Sequence, residues 1–118
     1  MRHKSKGKKL GRPFQPRMAM LKNMVISLLQ YEKIVTTEPK AKELKRMVDR
    51  LLAKAKTNDI ATRRKLISFL FNNAKVVDKI YTVLMPRFDQ QKSSGYTRIY
   101  KLGVRPGDGT PTVQIELT

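Results

Sequence analysis

The chain predicts an α+β domain: a small three-stranded sheet, antiparallel or mixed, packed against about four helices, with an extended basic N-terminal arm. Three observations carry this reading. Apolar residues recur at helical spacing from Met18 to Leu84, the period switches to two from Tyr96 onward, and residues 1–16 hold almost no apolar side chain except Leu10 and Phe14. With 118 residues the chain suits one domain, spanning 17–118 behind the arm.

Each element has a local reason. Residues 1–16 are punctuated by Gly and Pro and bury too little to offset the entropy of ordering, so they form an arm that extends on binding. From Arg17 to Gln30, residues Met18, Leu21, Met24, Val25, Leu28 and Leu29 share one helical face, the methionines as core packing. The β-branched run Ile34-Val35-Thr36-Thr37 suits a strand. Glu38-Pro39 then opens the longest helix, to about Thr57: Pro is tolerated at the first position and an acid suits the positive end of the dipole. Its inward stripe is Ala41, Leu44, Met47, Val48, Leu51, Leu52 and Ala55. Asn58-Asp59 caps a third helix through Phe71, with Leu66, Ile67, Leu70 and Phe71 facing inward. Asn72-Asn73 breaks and recaps the chain, and a fourth helix carries Val76, Val77, Ile80, Tyr81 and Leu84 before Pro86 ends it. After a polar loop from Asp89 to Ser94, strands are expected from Tyr96 to Leu102 and from Thr112 to Leu117. The turn-rich Gly103–Gly109 segment joins them as a hairpin.

Charge is the strongest global property. Lys and Arg number 26 against 9 Asp and Glu, a formal net charge of +17. Self-repulsion on that scale disfavours a compact monomer unless a polyanion neutralises it, and nucleic acid is the usual polyanion. The charge is also uneven: residues 1–31 hold 8 Lys/Arg and no acid, and residues 40–65 hold 10 against 3. A chain charged only for solubility would spread its cations. An anionic membrane surface is the other candidate, but it needs an exposed apolar helix face, and these stripes are committed to a core. No apolar run approaches the ~20 residues that span a bilayer.

Catalysis finds little support. Cysteine is absent and His3 is the only histidine, which removes the Ser-His-Asp, Cys-His and zinc-hydrolase arrangements. Gly7-Lys8-Lys9-Leu10-Gly11 lacks both the order and the preceding strand of a phosphate-binding loop. No residue pattern asks for an enzyme, a cofactor, a metal or a small-molecule substrate.

Candidate RNA-binding residues fall in four groups. The arm supplies Arg2, His3, Lys4, Lys6, Lys8, Lys9 and Arg12, with Arg17 and Lys22 following on the first helix. A nuclear-localisation signal or a mitochondrial presequence is also basic, but presequences are Ser-rich amphipathic helices and this stretch is rich in Gly and Pro. Lys42, Arg46, Arg50 and Lys54 stand at successive i, i+4 positions, a ridge of like charge that costs an isolated helix a few tenths of a kcal/mol per pair. Ordinary solvated faces alternate in sign, and this one does not. Arg63 and Arg64, with Lys65, sit near a helix start, where the dipole disfavours cations unless phosphates approach. Lastly, Tyr96, Arg98 and Tyr100 share a strand face beside Lys101, able to stack on bases and pair with phosphate, or else to pack on the helices.

Read together, these segments resemble a family. Met1-Arg-His-Lys, Lys9-Leu-Gly-Arg12, Leu21-Lys-Asn-Met-Val25, Thr36-Thr37, Ala41-Lys-Glu-Leu44, Gly95-Tyr-Thr-Arg-Ile99, Lys101-Leu-Gly103, Gly107-Asp108 and Ile115-Glu-Leu117 occur in order along the chain. In this the chain is similar to the bacterial large-subunit ribosomal protein seventeen family, with Pro13-Phe14-Gln15-Pro16 standing where the family usually has a Ser/Thr/His-rich stretch. The resemblance implies a structural protein of the cytoplasmic ribosome, bound to large-subunit ribosomal RNA near the polypeptide exit region and assembled beside neighbouring ribosomal proteins. A small DNA-binding, nucleoid-type protein is the alternative: it shares the charge but needs a recognition helix or dimer seam that the sequence does not display.

Overall fold

A computed structural model of the chain describes residues 14–88 and 95–118. The expected arm residues Arg2, His3, Lys4, Lys6, Lys8, Lys9 and Arg12, and the expected loop from Asp89 to Ser94, lie outside the described residues. Helix α1 (Phe14–Tyr31) leads through Glu32 into strand β1 (Lys33–Thr37) and directly into α2 (Glu38–Ala55). Then follow α3 (Ile60–Phe69), α4 (Ala74–Lys79), β2 (Thr97–Val104) and β3 (Pro111–Leu117). Helix α1 starts before the expected Arg17, with Pro16 in its first turn, where a missing N–H breaks no intrahelical bond.

The sheet is wholly antiparallel in the order β1-β3-β2. Ile34, Ile115 and Ile99 lie across one rung, and Val113, Ile115 and Leu117 alternate inward along the central strand. Helix α2 crosses this inner face. Its expected stripe is buried at Ala41, Leu44, Val48, Leu51, Leu52 and Ala55, with Met47 partly covered. Each fully buried Leu contributes roughly 1.5–3 kcal/mol relative to exposure.

Two expectations about helix ends are corrected. Helix α4 does not stop at Pro86: it runs through a π-helical turn, Ile80–Leu84, into Met85–Arg87. The Met85 N–H donates to the carbonyl of Ile80, and the Thr82 hydroxyl donates to the carbonyl of Asp78 at 2.9 Å. A proline ring clashes with the carbonyl four residues back in a regular helix, and the widened turn makes room for it. Leu84 and Phe88 are thereby both brought into the core. The third helix, for its part, ends at Phe69 and not at Phe71. Leu70 is buried as expected, but Phe71 has swung outward, with φ of 57° and 49% exposure, because the chain turns left-handed there.

Two acidic side chains join the layers. Asp49 leaves α2 toward the start of β2, where Oδ1 accepts the Tyr96 N–H and the Thr97 hydroxyl, each at 3.2 Å. Lys45 completes this clamp: its ammonium lies 3.4 Å from Asp49 Oδ2 and donates to the Thr97 carbonyl at 2.7 Å. Glu32 follows α1 with φ of 68° and joins three elements. Its carbonyl accepts the Leu117 N–H at 3.0 Å, and its carboxylate lies 2.8 Å from Arg87 and 3.2 Å from Lys79. The Arg87 hydrogen bond, with help from Lys79, holds the Glu32 carboxyl below the usual carboxylate range against the opposing effect of burial.

Asp49→Ala removes the acceptor shared by the Tyr96 N–H and the Thr97 hydroxyl and is expected to lower stability by about 1–3 kcal/mol in urea unfolding, with Thr97→Val giving part of that loss. For Glu32 the sign follows from a lowered folded-state pKa: its contribution is complete above the unfolded value of ~4.3 and disappears as pH falls through the folded one. The stability gap between wild type and Glu32→Gln is therefore expected to be widest at neutral pH and to close on acidification, as read from urea midpoints across that range.

Candidate nucleic-acid interface

Helix α2 sets its cations by spacing: residues four apart stack along one side, and the opposite side is buried against the sheet. Lys42, Arg46, Arg50 and Lys54 are all exposed. Lys42 lies 3.5 Å from Glu38 and Arg46 lies 2.7 Å from Glu43. Arg50 and Lys54 have no ion-pair partner among the described residues. Asp49, the other acid of this helix, is turned away into the clamp on β2. The ridge thus grows more positive toward the C-terminal half of α2.

Helix α3 carries further cations. Asp59 caps it, its carboxylate accepting the Thr62 N–H at 2.7 Å, which lowers the Asp59 pKa. Arg63 donates to Asn58 Oδ1 at 2.8 Å and lays its guanidinium 4.4 Å from the centre of the Tyr81 ring. The Tyr81 hydroxyl is buried without a hydrogen-bond partner among the described residues, and burial raises its pKa. Arg64 is exposed, with no ion-pair partner among the described residues.

Three expected site residues are placed otherwise than the sequence suggested. Arg17 is 5% exposed and lies 3.6 Å from Glu43, so it joins α1 to α2 from inside instead of facing solvent. Glu43 therefore serves a buried and an exposed arginine at once. Tyr96 does not share a face with Arg98 and Tyr100. Its ring is fully buried, packed edge-on against Phe88 with centroids 5.1 Å apart. The ladder begins at Thr97, after Gly95 with φ of 75°, so strand alternation does not extend back to Tyr96. Lys22 is half-buried, its ammonium 4.4 Å from the Phe69 ring centre and 5.5 Å from that of Phe71.

The sheet's outer face carries the rest. Arg98 stands opposite Glu116, which also faces Lys33, and Tyr100 stands opposite Gln114, beyond which lies Val35. Lys101 pairs with Val113 and so belongs to the other face, exposed where the helices no longer cover the sheet. Arg98 and Lys101 cannot act on one ligand group from the same side. Sequence reasoning missed the Lys22–Phe69–Phe71 cluster. Its only signal was the Phe-Leu-Phe-Asn-Asn run at a helix end.

Among the described residues, no cluster of three or more His, Cys, Asp or Glu is placed to hold a metal ion, and no helix is long and apolar enough to cross a membrane.

The chain is 47% identical over 117 residues to the large ribosomal subunit protein bL17 of Syntrophotalea carbinolica, covering 99% of this chain and 74% of the relative. The bL17 protein of Geobacter metallireducens is 43% identical over 117 residues, and the chain spans 65% of its length. That of Caldanaerobacter subterraneus is 42% identical over 110 residues, 93% of this chain and 96% of the relative. The family profile described as ribosomal protein L17 matches residues 20–118, from within α1 to the end of β3. The chain belongs to the ribosomal protein L17 family.

Proposed function

We propose that this chain is a structural, non-catalytic constituent of the bacterial large ribosomal subunit, working in the cytoplasm. It binds folded large-subunit ribosomal RNA beside neighbouring ribosomal proteins. The observation that carries this reading is the one-signed ridge of α2. Arg50 and Lys54 are exposed without a counter-ion among the described residues, while Asp49 beside them is spent inside the fold. Phosphate oxygens along an RNA backbone supply the missing charge. Lys42 and Arg46 on the same helix face, and the exposed Arg63 and Arg64 of α3, add further cations. Arg98 and Lys101 on opposite faces of β2 reach separate RNA segments, so that the protein holds strands against one another. Arm residues Arg2, His3, Lys4, Lys6, Lys8, Lys9 and Arg12 add a second electrostatic element that threads between RNA helices. Arg17 and Tyr96 act only as internal supports.

The test is a salt series on a large-subunit ribosomal RNA transcript. Arg50→Ala/Lys54→Ala is expected to fold normally, to weaken binding and to flatten the log–log salt slope by about 1.4–1.8, two released counterions. Deleting residues 1–16 flattens it further. Unchanged slopes, or equal affinity for random duplex DNA, would count against this reading.

A further inference from the structure

The turn that ends α3 places a phenylalanine where helices ordinarily place glycine. The Asn72 N–H donates to the Ile67 carbonyl at 2.7 Å, the closing bond of a left-handed helix cap, with Phe71 at φ 57° and Asn72 at φ 61°. Glycine takes this position without penalty, and a side chain there crowds its own carbonyl. Phe71 gains little burial in return: Leu70 beside it is fully buried, whereas the Phe71 ring is 49% exposed. A lysine from another element is brought to the same spot. The Lys22 ammonium, carried by α1, lies within cation–π range of both Phe69 and Phe71.

Strain held in a bulky residue that stays half in water is a sign of use, not of packing. The residues that follow it, Asn72 and Lys75, are exposed and polar or basic, and Lys22 sits over the ring. A protein interface needs a contiguous apolar patch, whereas a single ring beside a cation matches the size and charge of one nucleotide. We infer that Phe71 is a stacking surface for one unpaired nucleobase of the bound RNA, with Lys22 meeting the adjacent phosphate. This rests on the RNA-binding reading above and adds to it a point of base contact that the α2 ridge does not supply.

The chain has no tryptophan, so Phe71→Trp provides a single emission at the site. Titration of the full-length variant with the large-subunit ribosomal RNA transcript should quench that emission as binding saturates. Phe71→Leu, which keeps apolar bulk but not the aromatic face, should weaken binding about 5- to 100-fold at an unchanged salt slope. Its circular dichroism should match the wild type. Full binding by filter retention without quenching, or wild-type affinity in Phe71→Leu, would overturn the inference and leave the RNA-binding reading intact. So would a Phe71→Leu chain that binds the transcript normally but fails to enter ribosomal particles, which places the ring against protein. Failure of the wild type itself to bind the transcript overturns the underlying reading and this inference with it.

Discussion

Glu43 and Asp49 point from α2 into the molecule, one to the buried Arg17 and the other to the start of β2. That placement has two consequences at once. Inside, it fixes α2 against α1 and against the sheet, so that the apolar stripe from Ala41 to Ala55 closes the core in one register. Outside, it leaves Arg50 and Lys54 on the far side of α2 without an ion-pair partner among the described residues. Surface ion pairs are worth little individually, so the exposed Lys42–Glu38 and Arg46–Glu43 contacts do not offset the repulsion along the ridge. Glu32 is likewise occupied, by Lys79 and Arg87, whereas Asp108 is a half-exposed acid paired with Arg105 in the hairpin. Glu32, Glu43 and Asp49 are thus engaged with groups of other elements, while Asp59 and Asp78 stay exposed.

The two clamps also explain why a three-stranded sheet is stable here. Strand β2 is an edge strand, joined to β3 through a ladder with an irregularity at Leu102 and little apolar coverage beyond Ile99. Its start is held not by packing alone but by Asp49 and Lys45 on Tyr96 and Thr97. Tyr96, withdrawn from the strand face, packs edge-on against Phe88, which follows the π-helical turn by four residues. Losing Tyr96 as a possible base contact and gaining it as a core residue are one structural event.

Much of this was legible in the sequence, and the failures are instructive. The α2 stripe, the strand alternation of Val113, Ile115 and Leu117, and the Asp59 cap follow from periodicity and local hydrogen bonding, which act over a few residues. The misplaced features depend on partners distant in sequence. Arg17 looks like one more arm cation until Glu43 is brought against it. Tyr96 obeys strand alternation until Gly95 breaks it. Pro86 reads as a stop because sequence rules assume a regular helix, and the π turn is a local way around that rule. Phe71 continues the inward pattern of Leu66, Ile67 and Leu70, and only the left-handed cap reveals that it faces water.

If folding leaves the cations unneutralised, the free protein is limited by its own repulsion, and simple screening should relieve it. The direct measurement is the urea unfolding free energy of the isolated chain in sodium chloride from about 0.01 M to about 0.15 M, over which the Debye length falls from about 30 Å to about 8 Å. Stability should rise with salt across that range. A fall would mean that internal ion pairs outweigh the repulsion, and would contradict a surface whose counter-charge comes from a bound polyanion.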